Sequence, residues 1–147
     1  MKEKVRICKL DERAVLPSYG SEAAAGADLY ALLDTPLTLS PGETALVRTG
    51  LAVALPEGTV GLICARSGLA TRRGLAPANK VGVIDADYRG EILVALHNHA
   101  AVPATVEPGE RMAQLLIVPY LAAEFVPVRE LDDTARGTGG FGSTGSN

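Results

Sequence analysis

The sequence predicts an all-β fold, a sandwich or barrel of many short strands. Turn-forming residues punctuate the chain about every ten positions, at Pro41-Gly42, Pro56-Glu57-Gly58, Tyr88-Arg89-Gly90, Pro108-Gly109 and Pro119. The stretches between them are short, and they either alternate in polarity or are rich in β-branched residues. With 16 glycines and 9 prolines in 147 residues, only Ser67–Arg73 has helical character, enough for about two turns.

The first strand is expected over Val5–Cys8 and the second over Ala27–Tyr30, after a run of small residues. Glu43–Arg48 opens after Pro41-Gly42, and Leu51–Leu55 closes at Pro56-Glu57-Gly58. Thr59–Cys64 leads into the helical segment, and Val81–Ile84 runs into a polar turn. Glu91–Asn98, Ala104–Val106 and Met112–Val118 follow, and Glu124–Val128 is expected as the last strand. From Arg136 the chain reads RGTGGFGSTGSN, with one aromatic and no aliphatic side chain. Such a segment buries too little surface to offset its backbone entropy, so one domain over 1–135 and a flexible Gly-rich tail over 136–147 are expected.

A formal net charge of −3 argues against a dedicated nucleic-acid binder or a polybasic membrane surface. The longest apolar runs (Leu29–Leu33, Leu51–Leu55, Ile92–Leu96) are five residues, far short of the roughly 20 a spanning helix needs. The start, MKEKVRICKLDERAV, never reaches the apolar core of a secretory leader. Cys8 and Cys64 lie in apolar stretches without CxxC spacing and read as buried free thiols of a reducing compartment. A cytoplasmic protein without membrane or nucleic-acid partners is the expectation.

Several segments carry chemistry. Ala65-Arg66-Ser67-Gly68 joins a strand to the helix, where free N–H groups, a hydroxyl and a guanidinium suit a phosphate cradle. The same residues also suit an N-capping serine beside a surface arginine; a GxxxxGK[ST] loop they are not. In NKVGVIDADYRG (Asn79–Gly90) a strand delivers Asp85 to a turn, a position suited to a general base, and Asn79 has both donor and acceptor to read a pyrimidine edge. The alternative is a plain DxDxxG turn in which Asp85 caps backbone and Tyr88 packs on the core; a calcium loop would need twelve residues and a terminal glutamate.

Asp28, in AGADLYA, is either a water-mediated metal contact or a solvated charge. Gln114, alone among apolar neighbours, needs a partner such as a phosphate or water if it faces inward. His97 and His99 share one face of an expected strand, but nothing nearby completes a metal set. In the tail, Arg136 and Phe141 offer an anion partner and a stacking surface, and Ser143 and Thr144 offer hydroxyls, a set suited to ordering over a phosphate-bearing ligand.

Five stretches in this order resemble the motifs of the homotrimeric dUTPases, the deoxyuridine 5′-triphosphate nucleotidohydrolases. They are AGADLYA (Ala25–Ala31), ARSGLA (Ala65–Ala70), NKVGVIDADYRGEI (Asn79–Ile92), GERMAQLLI (Gly109–Ile117) and RGTGGFGSTG (Arg136–Gly145). Ala65 stands where a proline is usual, and Lys80 where a small or apolar residue is usual. The resemblance implies a jelly-roll-like β-barrel (a β-clip) that trimerises with active sites shared between subunits. It implies hydrolysis of dUTP to dUMP and pyrophosphate, which limits uracil in DNA and supplies dUMP for thymidylate synthesis.

It also implies roles. Asn79 and the backbone of Val83, Ile84 and Asp85 would read uracil, with Leu93 beside them, in a slot too narrow for thymine's methyl group. Tyr88 would pack under the sugar and leave no room for a 2′-hydroxyl. Asp85 would hold the attacking water and act as base toward the α-phosphorus. Arg66, Ser67, Gly68 and Gln114 would bind the triphosphate, and Arg136, Phe141, Ser143 and Thr144 would close over it. Mg²⁺ would be held by the phosphates, with Asp28 reaching it only through water. A dCTP deaminase would place glutamate at position 85 and serine at 68, where this chain has Asp85 and Gly68; a non-catalytic nucleotide-responsive trimer is the other alternative.

Overall fold

The computed structural model describes residues 3–142. Twelve strands and one helix follow in order: β1 (Arg6–Lys9), β2 (Ser18–Tyr19), β3 (Ala27–Tyr30), β4 (Leu37–Leu39), β5 (Thr44–Arg48), β6 (Leu51–Ala54), β7 (Thr59–Cys64), α1 (Ser67–Arg73), β8 (Leu75–Pro77), β9 (Gly82–Ile84), β10 (Leu93–Asn98), β11 (Ala104–Val106) and β12 (Arg111–Pro119). The fold is all-β, and α1 has the predicted bounds. The helix ends at Gly74, whose left-handed backbone (φ 68°) turns its N–H onto the carbonyls of Ala70 and Leu69.

The strands form four hydrogen-bonded sheets: β1-β6, β5-β10-β8, β11-β4 and the five-stranded β2-β3-β12-β7-β9. No ladder joins these four into a closed barrel among the described residues. What unites them is one core. Leu29, Leu39, Val53, Leu75, Leu96 and Met112 bring side chains from all four sheets into it. Strand β10 shows the logic, since Val94 and Leu96 point inward while their neighbours face out.

Asn98 is the polar residue on that inward face, fully buried. Its Nδ2 donates to the carbonyls of Leu39 (2.9 Å) and Val102 (2.8 Å), and its Oδ1 accepts the Ala100 N–H at 2.9 Å. It thus ties the β10–β11 loop to β4. Asn98→Ala removes the partner of the buried Leu39 carbonyl and of two part-buried groups, and an expected loss of about 2 kcal/mol is measurable by denaturant unfolding.

Several expectations are corrected. Glu124–Val128 forms no strand; it is exposed coil, since a strand requires a partner edge and the chain beyond β12 lies alongside none. Strands β2, β4 and β8, each two or three residues long, were not expected from the sequence, and β8 ends on a proline at a sheet edge. Both cysteines are free, but Cys8 is exposed and Cys64 half-buried rather than buried. The histidines do not share a strand face: the ring of His97 meets Thr44 Oγ1 (Nδ1, 2.9 Å), whereas His99 lies past the end of β10. No group of three metal-ligating side chains occurs among the described residues, and no helix there is long and apolar enough to cross a membrane.

Candidate functional site

Most of the residues singled out by sequence in the 1–135 domain fall into two separate cavities. The first, about 260 Å³, contains Asn79, Val83, Ile84, Asp85, Tyr88 and Leu93 in its lining. Strand β9 supplies its wall. Because β9 pairs only with β7, it is a sheet edge, and one row of its N–H and C=O groups is free for a ligand. Val83 and Leu93 are exposed at the rim. Ile84 points into the core and anchors the strand.

Asp85 begins the turn after β9. Its backbone carbonyl accepts the Tyr88 N–H at 3.1 Å, and the Arg89 side chain closes the turn on the carbonyls of Ala86 (2.7 Å) and Tyr88 (3.0 Å). The Asp85 carboxylate is exposed and makes no hydrogen bond or ion pair among the described residues, so it does not cap the turn. Tyr88 is not packed on the core either: it is 44% exposed, with its hydroxyl donating to the Glu91 carbonyl at 2.9 Å.

The second cavity, about 280 Å³, contains Asp28, Arg66, Ser67, Gly68, Arg111 and Gln114 in its lining. Ser67 is the first residue of α1 rather than its cap; Arg66 occupies the cap position with no side-chain cap bond, and no acidic residue lies in the first turn. The first N–H groups of the helix are therefore unopposed. Asp28 is no solvated charge. It is 8% exposed and lies between two guanidiniums, accepting from Arg66 Nε at 2.7 Å and Arg111 Nη1 at 3.3 Å. Two arginines against one carboxylate leave the cavity net positive.

Gln114 Nε2 donates to the Ala65 carbonyl at 2.8 Å, which leaves its second N–H free. Its side chain lies across Gly26, where an added Cβ would sit 2.3 Å from Oε1, so the glycine of AGADLYA keeps the amide in place. Behind this cavity Arg73 pairs with Glu110. Burial pushes the Glu110 carboxyl up, but the Arg73 hydrogen bond, the Glu107 N–H and the charges of Arg73 and Arg66 outweigh it and hold it below the usual value.

Arg111 was missed by the sequence reading, for a geometric reason. Residues three apart on a regular strand point to opposite faces, so Arg111 and Gln114 would be separated. A register shift between Arg111 and Ala113 sets two residues of β12 against one of β3, and the bulge brings both side chains into one cavity.

The two cavities share no lining residue. Along β7, Ile84 pairs with Gly61, which places Asp85 beside Val60, six residues before Arg66. The chain is extended through Arg66 (φ −88°, ψ 127°), so the two side chains start about 20 Å apart. The two cavities therefore lie at different levels along β7 rather than forming one pocket. In the tail, the Arg136 side chain bonds the Gly139 carbonyl at 2.8 Å, and Phe141 is fully exposed. Ser143 and Thr144 lie outside the described residues.

A sequence model of the dUTPase family matches residues 12–145. The chain belongs to the dUTPase family. It is 50% identical over 146 residues to the deoxyuridine 5′-triphosphate nucleotidohydrolase of Desulfitobacterium hafniense (strain DSM 10664 / DCB-2), covering 99% of this chain and 97% of that one. It is 46% identical over 148 residues to the enzyme of the same name from Paraburkholderia phymatum, covering 100% of both. Among solved structures it resembles the Staphylococcus bacteriophage 80alpha dUTPase with dUPNHPP (TM-score 0.89, 29% identity, 99% of this chain and 100% of that one). It also resembles a variant dUTPase of phage phi11 of S. aureus, described for the coordination of a structural Mg(II) ion (TM-score 0.80, 27% identity, 89% and 100%).

Both departures from the dUTPase pattern are local. Lys80 sits in the β8–β9 turn with a left-handed backbone (φ 66°), its N–H on the Pro77 carbonyl at 3.1 Å. Ala65 offers Gln114 a backbone carbonyl, which any residue there would supply.

Proposed function

We propose that this protein hydrolyses dUTP to dUMP and pyrophosphate at sites that two or three copies build together. The observation that carries the reading is the division of the chain into two half-sites about 20 Å apart. One has a base-reading strand edge and a carboxylate, the other an anion cradle. Neither suffices alone, and a second copy supplies the missing half.

In the first half-site, the free edge of β9 alternates N–H and C=O groups, matching the acceptor–donor–acceptor edge of uracil, and Asn79 adds an amide. Tyr88 lies under the sugar. Asp85, exposed and unpaired, orients a water and takes its proton as the oxygen attacks the α-phosphorus; the α–β bridging oxygen leaves with pyrophosphate. In the second half-site, Arg66, Ser67, Gly68 and the free N–H of Gln114 meet the phosphates.

The donor set fits a metal that arrives with the nucleotide: both oxygens of Asp28 are already engaged by arginines, so Asp28 would reach Mg²⁺ only through water. Held by the phosphates of the nucleotide, Mg²⁺ would supply charge neutralisation there. Arg136, Phe141, Ser143 and Thr144 would close the site, the tail acting as a unit apart from the 1–135 domain.

Two further features favour association with further copies, which the reading takes to be a homotrimer. The outer face of the five-stranded sheet carries Val60, Leu62, Leu116 and Val118, half-buried and uncovered within one chain. Beyond β12, Leu121 and Phe125 are 91% and 93% exposed. Such surfaces suit contact with further copies. We place the protein in the cytoplasm, without nucleic-acid or membrane partners. Incubation with each dNTP and Mg²⁺, followed by pyrophosphate release, tests the activity: dUTP alone should turn over at an appreciable rate. Equal turnover of dTTP or dCTP would contradict the uracil-reading edge.

A further inference from the structure

Tyr88 is an exposed side chain at a cavity rim, yet its proposed task, refusing a 2′-hydroxyl, needs a fixed ring. A rotamer free to swing would open the space it is meant to fill. The core does not hold it. Two contacts do: its hydroxyl donates to the Glu91 carbonyl at 2.9 Å, and its ring lies over Gly90, where an added Cβ would stand 2.4 Å from the hydroxyl oxygen and 2.6 Å from Cζ.

The Glu91 carbonyl is itself rigid. The Glu91 carboxylate accepts the Gly50 N–H at 2.8 Å and Arg48 Nε at 3.0 Å. The next residue continues the tie: the Ile92 N–H donates to the Leu51 carbonyl at 2.8 Å, and the Ile92 carbonyl accepts from buried Thr49 Oγ1 at 2.7 Å. Residues 91 and 92 are thereby stapled to the corner between β5 and β6.

We propose that Gly90 and Glu91 are positioning residues that fix the Tyr88 ring, and through it the preference for deoxyribose over ribose. The inference rests on the dUTP reading above. Gly90 does so by leaving the ring its place. Glu91 does so twice, through the carbonyl that receives the hydroxyl and through the carboxylate that anchors that carbonyl to the neighbouring strands. Because the ring is exposed, a methyl group at position 90 displaces it outward without disturbing the core, so the substitution shifts selectivity rather than folding.

The test compares kcat/KM for dUTP and UTP in wild type, Gly90→Ala, Tyr88→Ala, the Tyr88→Ala/Gly90→Ala double variant, Glu91→Gln and Glu91→Ala, with thermal midpoints recorded for each. Gly90→Ala should lower the dUTP/UTP ratio by about tenfold or more at an unchanged midpoint. The double variant should match Tyr88→Ala, because both changes act on one ring. Glu91→Gln, which keeps an acceptor for the Gly50 N–H, should hold the ratio nearer wild type than Glu91→Ala. A wild-type ratio in Gly90→Ala and Glu91→Ala beside a lowered one in Tyr88→Ala overturns the proposal and leaves the dUTP reading standing. An unchanged ratio in Tyr88→Ala overturns the assignment of the 2′-position to that ring and the proposal with it. Absence of dUTP turnover in wild type overturns the dUTP reading itself.

Discussion

Replacing Asp85 with asparagine should slow dUTP hydrolysis by about 10²–10⁴-fold while dUTP still binds. The substitution keeps the size and hydrogen-bonding reach of the side chain and removes its ability to take a proton. Stability should not fall, because the carboxylate is exposed and serves no hydrogen bond or ion pair among the described residues. That separation makes the experiment clean: turnover is followed by pyrophosphate release, binding by calorimetric titration with dUTP, and folding by the thermal midpoint. Near-normal turnover in Asp85→Asn would remove Asp85 from the role of general base.

Arg66→Gln carries the second large effect, and it tests the other half-site. Removing one charge that meets the phosphates in the transition state costs about 10²–10³-fold in turnover. Here the loss extends to the fold as well, since Arg66 Nε donates to buried Asp28 at 2.7 Å. Arg111 remains on the other oxygen at 3.3 Å, and glutamine retains an N–H to offer, so stability should drop by about 2 kcal/mol rather than the larger cost of an orphaned charge. A loss of stability without loss of turnover would make Arg66 a purely structural partner of Asp28.

What the sequence made legible follows the range of the interactions involved. Strands β3, β7 and β11 and helix α1 appear within their predicted bounds, because turn chemistry and polarity patterns act over a few neighbouring residues. Strands β2, β4 and β8 form only through the partners they meet in their sheets, and Glu124–Val128 has β-forming residues but no edge to join. Features set by long-range pairing were hidden. Nothing local shows that Asp28 lies between Arg66 and Arg111, each far away in sequence. The bulge that turns Arg111 toward Gln114 depends on how β12 meets β3. Likewise, the residues of the site could be named one by one, but their division into two cavities comes from the β7–β9 register, which a linear reading does not contain.

Subunit mixing tests that division. Asp85→Ala and Arg66→Gln proteins, each nearly inactive alone, are denatured and refolded together in equal amounts. Random assembly of a three-fold ring makes about three-quarters of the trimers mixed. In each mixed ring one site of three joins an intact Asp85 to an intact Arg66 from the neighbouring copy. Activity should therefore recover to about one quarter of wild type. If both residues served a site within one chain, no mixed ring would hold a complete site, and activity staying at the level of the separate variants, with mixed trimers confirmed by mass, would contradict the shared site.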